Sequence, residues 1–172
     1  MRMMLIAAAL LAAAPATAKT ADPAAPVRAA IDTAIAAFNA GDAAGFKAAH
    51  VASPTIIDEP PPYLWSGKDA FDTWLADLGK ESKAAGKTEE KVTLGRTLRA
   101  EMSGSAAYVI VQATYSFVQG GVAKAEPSRM TFVMNNSKAG WKIAAWSWTG
   151  PRPSIVKAKA GAATPAAADT PK

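Results

Sequence analysis

Between Phe38 and Trp74 the chain reads FNAGDAAGFKAAHVASPTIIDEPPPYLWSGKDAFDTW, and no other stretch narrows the fold so far. Asn39-Ala40-Gly41 ends a helix, Gly41 being suited to the left-handed backbone that closes helix C-termini. Asp42 then caps a second, short helix running through Val51, with Phe46 inward and His50 near its end. Thr55-Ile56-Ile57 reads as a short strand that leaves the core at Asp58. Pro60, Pro61 and Pro62 fix three φ angles and remove three backbone donors, so the corner after Asp58 is stiff and outside any sheet. Ser66-Gly67-Lys68 opens a third helix with the apolar stripe Phe71, Trp74, Leu75 and Leu78, ended or interrupted by Gly79 or Gly86.

The flanking segments complete the pattern. Upstream, Val27, Ile31, Ile35 and Phe38 recur at steps of four and three, one face of a first helix. Downstream the chain is strand-rich. Lys91 to Ser103 alternates, with Val92, Leu94, Leu98 and Met102 on one parity. Ala107, Val109, Val111, Ala113, Tyr115 and Phe117 form the uniformly apolar side of a long strand, as a half-buried antiparallel sheet requires. Gly120-Gly121 is a hairpin turn, and Pro127 marks a bulge or an edge in the returning strand. Arg129 to Asn135 and Trp141 to Thr149 supply further strands, the last stopped by Gly150-Pro151. Helices gathered first and a meandering antiparallel sheet afterwards predict an α+β domain over residues 27–150, three N-terminal helices packed on a curved sheet.

The ends are of a different kind. Arg2, an apolar run from Met3 to Ala14 and the small residues Ala16-Thr17-Ala18 have the layout of a signal peptide cleaved before Lys19. The run is too short to span a bilayer, so the mature chain is expected in the periplasm or secreted, without a membrane span. Residues 19–26 are a polar lead. Residues 151–172 are rich in alanine, lysine, proline and threonine, and their composition predicts a disordered tail. The formal net charge of +5 is scattered, with no basic stripe interleaved with aromatics, which argues against nucleic-acid binding. The chain has no cysteine, which excludes thiolate chemistry, and its one histidine argues against a metal site built on imidazoles. No metal and no cofactor are expected.

Phe38-Asn-Ala-Gly-Asp42, Asp58 after a short strand, Trp65-Ser-Gly-Lys before a helix, and Gly140-Trp-Lys-Ile143 together resemble the nuclear transport factor 2-like superfamily, in its SnoaL-like and ketosteroid isomerase-like branch. The resemblance covers Val27 to Thr149. It implies a cone-shaped, cystatin-like α+β fold with a pocket at its wide end, often dimeric. It also implies a general-base aspartate, and Asp58 falls on that position. The same chemistry uses a tyrosine on the first helix, where this chain has Ala34. It further uses a protonated carboxylic acid on a later strand, where Ser128 to Phe132 contains none. Loss of an oxyanion donor costs ~3 kcal/mol in other enzymes, so ketosteroid isomerase-type catalysis is not expected.

The remaining side chains divide between chemistry and packing. Asp58 is a general base or a cap on the proline turn, and Glu59 is expected to point the other way. His50 is an acid–base group or a packed helix end. Tyr63 and Trp65 flank the stiff corner and suit a pocket rim. Tyr115, Trp146 and Trp148 line an aromatic cavity or form a dimer interface, and Trp141 lies on the opposite parity. Arg96, in phase with Leu94 and Leu98, is either a pocket cation or the sign of a bulge that turns it out. Glu126 and Arg129 read as a surface pair.

Three functions follow from these alternatives. The chain is an exported binder of a small hydrophobic ligand. Otherwise it is an isomerase, cyclase or lyase on a small carbonyl compound with Asp58 as base and Tyr115, Tyr63, Arg96 or a water as electrophile. The third reading is a structural homodimer of the envelope.

Overall fold

A computed structural model describes residues 22–156. The expected signal peptide, and the tail from residue 157 on, lie outside the described residues.

Helix α1 (Ala25–Asn39) buries Val27, Ile31, Ala34 and Ile35, the face its spacing predicts. Pro26 sits in its first turn, where a missing N–H costs nothing. Gly41 takes φ +70° just past its end. Helix α2 (Ala43–Ala48) is capped as expected, Asp42 Oδ1 accepting from Gly45 N at 2.8 Å. It stops short of Val51, because the chain is taken over by the sheet. Ile143 N donates to Ala49 O at 2.9 Å, and His50 pairs with Ile143. His50 thus opens strand β1 (His50–Ile57) rather than closing a helix. The register of β1 shifts between His50 and Thr55, around buried Pro54, which has no N–H to offer a ladder.

Strand β2 (Leu64–Ser66) returns antiparallel to β1 across the proline corner. Helix α3 (Ala70–Ala84) buries Phe71 and Trp74 and passes through Gly79 without interruption. Strands β3 (Lys87–Ser103), β4 (Ala106–Gln119), β5 (Val122–Ser137) and β6 (Gly140–Thr149) form the meander. Two residues, β7 (Ser154–Ile155), add to β5 at Lys124 and Ala125. Disorder expected from Pro151 onward therefore does not describe the first residues of that tail.

The sheet runs β2-β1-β6-β5-β4-β3 and is mixed rather than purely antiparallel, since β1 lies parallel to β6. The sheet is curved and unclosed, with the helices packed on its inner face. Pro127 needs no bulge. It pairs with Thr114 on one side, while on the other β6 ends opposite Arg129 and β7 begins opposite Ala125. No strand claims the missing N–H.

Bulges break the simple alternation of β3. Its register with β4 shifts between Leu94 and Thr97 and again between Thr97 and Arg99. Leu98 therefore leaves the parity of Val92 and Leu94, and Ala100 and Met102 take its place opposite Val109 and Ala107. A shift in the β5–β6 pairing, between Val133 and Met134, lets Trp141 join the core side with Trp146 and Trp148.

Candidate functional site

Between α1, α3 and the inner face of the sheet lies a cavity of about 670 Å³. Helix α1 contributes Ile35 and Phe38, α3 contributes Trp74 and Leu78, and the sheet contributes Tyr115, Met130, Trp146 and Trp148. Four carboxyl-bearing residues line it as well, Asp58, Glu59, Glu126 and Glu81, the last paired with Lys87, and Lys124 completes the charged lining on the sheet. At the mouth stand Tyr63 from the proline corner and Arg152 and Pro153 from the segment before β7.

Asp58 is the first residue past β1, and its placement is doubly fixed. Its backbone N donates to Tyr63 O at 3.1 Å, and Tyr63 N donates to Pro60 O at 2.8 Å, closing the corner on itself. Its side chain accepts from Trp74 Nε1 at Oδ2 (2.8 Å) and from Glu59 N at Oδ1 (2.8 Å). Burial pushes its pKa up, and nearby Glu126 adds to this. The two hydrogen bonds and Lys87 oppose the rise. Tyr63 holds the corner with φ 74°, a left-handed conformation that costs a non-glycine residue ~1 kcal/mol.

Glu59 corrects the expectation that it would point away from Asp58. Strand geometry ends at Ile57, so alternation no longer applies, and both side chains reach the cavity. Glu59 is pushed up to about 7, first by partial burial, then by the charge of Glu126 and a hydrogen bond shared with it, then by Asp58. Glu126 is likewise no surface residue. It pairs with Tyr115 across β4 and β5, is 1 % exposed, and accepts from Trp148 Nε1 at 2.5 Å. Its presumed partner Arg129 is exposed, on the opposite parity of the strand. Gly150 packs so closely on Glu126 and Ser128 that a Cβ there would collide with both. Glu126, Glu59 and the indole N–H of Trp74 are the site groups that the sequence reading missed. Carrying the buried phase of Phe132 and Met130 back through Ser128 would have found Glu126.

Among the residues expected at the site, Tyr63, Tyr115, Trp146 and Trp148 line the cavity together with Asp58. Three others lie elsewhere. His50 is buried off the cavity, between Phe46 and Phe71 with ring centroids 5.0 Å from each. Trp146 Nε1 donates to His50 Nε2 at 3.1 Å, so Nδ1 carries the proton and donates to Phe46 O at 2.8 Å. Both nitrogens are spent, and burial lowers the pKa to about 4. Trp65 is 4 % exposed and packs between β2 and α3, its Nε1 donating to Asp77 Oδ2 at 3.1 Å. Arg96 is exposed on the outside, turned out by the β3 bulge.

Tyr115 lines the cavity with its ring only. Its hydroxyl donates to Glu90 Oε2, which also accepts from Ser82 Oγ at 2.7 Å. Burial and then Glu90 push the phenol pKa up, so this proton is held in the wall and is not offered to a ligand. Ala34, the place the resemblance gives to a tyrosine, is 1 % exposed within the core. Among the described residues, no group of three or more His, Asp or Glu side chains is placed to hold a metal ion, and no helix is long and apolar enough to cross a membrane.

The SnoaL-like domain family matches residues 27–148. The chain belongs to that family. Solved structures of the same fold include a ketosteroid isomerase-like protein from Erwinia carotovora atroseptica. It has 17% identity and a TM-score of 0.59, over 77% of this chain and 99% of that one. A nuclear transport factor 2-like superfamily protein from Salmonella enterica has 17% identity and a TM-score of 0.60, over 80% and 92%. The CaMKII hub of S. rosetta has 23% identity and a TM-score of 0.60, over 77% and 100%. These likenesses establish the nuclear transport factor 2-like fold. No curated protein matches the sequence.

Proposed function

We propose that this SnoaL-like domain binds a small hydrophobic molecule in its aromatic cavity, with Asp58 at the polar end, after export through the leader at residues 1–18. The observation that carries the reading is the cavity itself. Its volume suits a small organic ligand, aromatic rings from α1, α3 and the sheet form much of its wall, and the carboxyls of Asp58, Glu59 and Glu126 lie close enough to perturb one another. Ketosteroid isomerase-type catalysis is not part of the proposal. The cavity residues of α1 are Ile35 and Phe38, neither of which has a donor, and the Tyr115 hydroxyl is committed to Glu90.

Three tryptophans line the cavity, so occupancy is directly visible in their fluorescence. Native mass spectrometry of the mature form, purified from the periplasm, should retain a small molecule that Trp148→Ala releases. A periplasmic protein that is always empty, and whose fluorescence no apolar probe alters, would sink the reading.

A second reading has its own support. Asp58 faces the cavity with a raised pKa, as a general base for proton abstraction from a carbonyl compound would. An isomerase, cyclase or lyase of this kind would exchange the acidic C–H of a bound ketone with deuterated solvent, and Asp58→Asn would abolish the exchange. Homodimerisation, if it occurs, uses the outer face of the sheet. Tyr115, Trp146 and Trp148 face inward, whereas Tyr108 and Val133 pair across β4 and β5 with 39% exposure each. Light scattering that stays monomeric at high concentration would exclude a dimer.

A further inference from the structure

The cavity gathers three carboxyl groups that form no ion pair with any cation of its lining. Asp58 and Glu59 approach from the corner after β1, and Glu126 from the middle of β5. Glu126 is 1 % exposed, yet the hydrogen bond it receives comes from a neutral indole, and the other group on it is Glu59, a second carboxyl. Three cations, Lys87, Lys124 and Arg152, line the same cavity, and none of them pairs with these carboxyls. Lys87 Nζ, whose charge Asp58 and Glu59 both feel, bonds the two oxygens of Glu81 at 2.8 and 3.1 Å. Lys124 Nζ bonds Gln119 Oε1 at 2.6 Å, and Arg152 stands exposed at the mouth. Among the described residues, no ion pair joins Asp58, Glu59 or Glu126 to a cation.

A buried carboxylate is costly unless a positive charge meets it. No cationic side chain makes that contact with Glu126, which opens into a space walled by Trp74, Trp146 and Trp148, whose π faces attract cations; the Tyr115 ring is already covered by Lys87, 5.6 Å from its centroid. We propose that the cavity selects an organic cation, a protonated or quaternary amine carried on an apolar body. The charged nitrogen meets Glu126 and Asp58, and the apolar body lies against Phe38, Ile35 and Met130. A bare divalent metal suits the site poorly, because indoles supply no ligand atoms and the carboxyls are not grouped for chelation. An anionic ligand would add to the repulsion that already raises Glu59. This inference deepens the binding reading above and rests on it.

The test is a tryptophan-fluorescence titration of the mature protein with three probes of similar size: benzyltrimethylammonium, its neutral isostere neopentylbenzene, and phenylacetate. The cation should bind ~10-fold tighter than the neutral isostere, and phenylacetate weakest. Glu126→Gln should remove the preference for the cation while changing the affinity for neopentylbenzene by less than ~3-fold. Asp58→Asn gives an independent check, should Glu126→Gln fail to fold by circular dichroism. A cation that binds no better than neopentylbenzene overturns the amine inference and leaves the hydrophobic-ligand reading standing. If none of the probes binds, both fail.

Discussion

Acidification should destabilise this protein through His50, by an amount its surroundings set. The imidazole is 7 % exposed, donates from Nδ1 to Phe46 O, and accepts at Nε2 from Trp146. A second ring proton would have to point at the indole N–H that already donates to Nε2. Burial lowers the pKa from 6.5 to about 4. Between these values the unfolded chain binds a proton that the native chain refuses, so stability falls as pH falls. Each pH unit inside the window removes ~1.4 kcal/mol, and the whole window ~3 kcal/mol.

Glu59 acts in the opposite sense. Its folded pKa is raised to about 7, so its contribution is complete at low pH and is lost as pH rises through 7. Asp58, also raised, adds in that direction. The stability curve of the wild type is therefore flattened, and the informative quantity is a difference. Urea unfolding of wild type and His50→Gln should be compared from about pH 7 to about pH 4.5. Glutamine keeps a donor and an acceptor but does not titrate. The wild type should lose ~2–3 kcal/mol relative to the variant across that range. A difference that stays constant with pH would refute the buried neutral imidazole.

Other substitutions separate wall from surface. Trp74→Phe removes the donor to Asp58 and should cost ~1–3 kcal/mol, with the Asp58 carboxyl titrating higher than in wild type by carboxyl-carbon NMR. Gly150→Ala forces a Cβ against Glu126 and Ser128 and should cost ~1–3 kcal/mol in thermal unfolding. It should also displace Glu126 and weaken ligand binding. Arg96→Ala should change stability by less than ~0.5 kcal/mol and leave probe affinity untouched, since the side chain lies outside. Trp65→Phe should cost ~1–3 kcal/mol through the void left by the smaller ring in a buried site, and equally spare binding by fluorescence titration.

Much of this was legible in the sequence where a period ran unbroken. The face of α1 and the alternation of β4 could be read directly, because neither element is interrupted. The Asp42 cap and the Gly41 stop depend on local chemistry alone, and both are found. What failed depended on partners distant in the chain. Arg96 sits on an apolar parity in the sequence, and only the mismatch between β3 and β4 turns it outward. Helix α2 ends early because β6, about a hundred residues later, takes up the backbone at Ala49 and His50. Glu126 lies between Lys124 and Pro127, a local context that reads as a surface edge. Its burial follows from pairing with Tyr115 and from the close approach of Gly150. Asp58 was found as a position, but the groups that tune it, Trp74 and Glu126, come from α3 and β5.

The segment from Pro151 to β7 sets a different property of the cavity, its kinetics. Arg152 and Pro153 form part of the rim, and beyond them the chain is held to β5 through Ser154, Ile155 and the bond from Val156 N to Ala123 O at 3.0 Å. A strand so short and exposed opens locally at far smaller cost than the sheet it borders. Exchange of occupant with solvent should therefore follow fraying of this strap rather than breathing of the curved sheet. The residence time of a bound molecule would then be tuned at Ser154 and Ile155, outside the groups that recognise it.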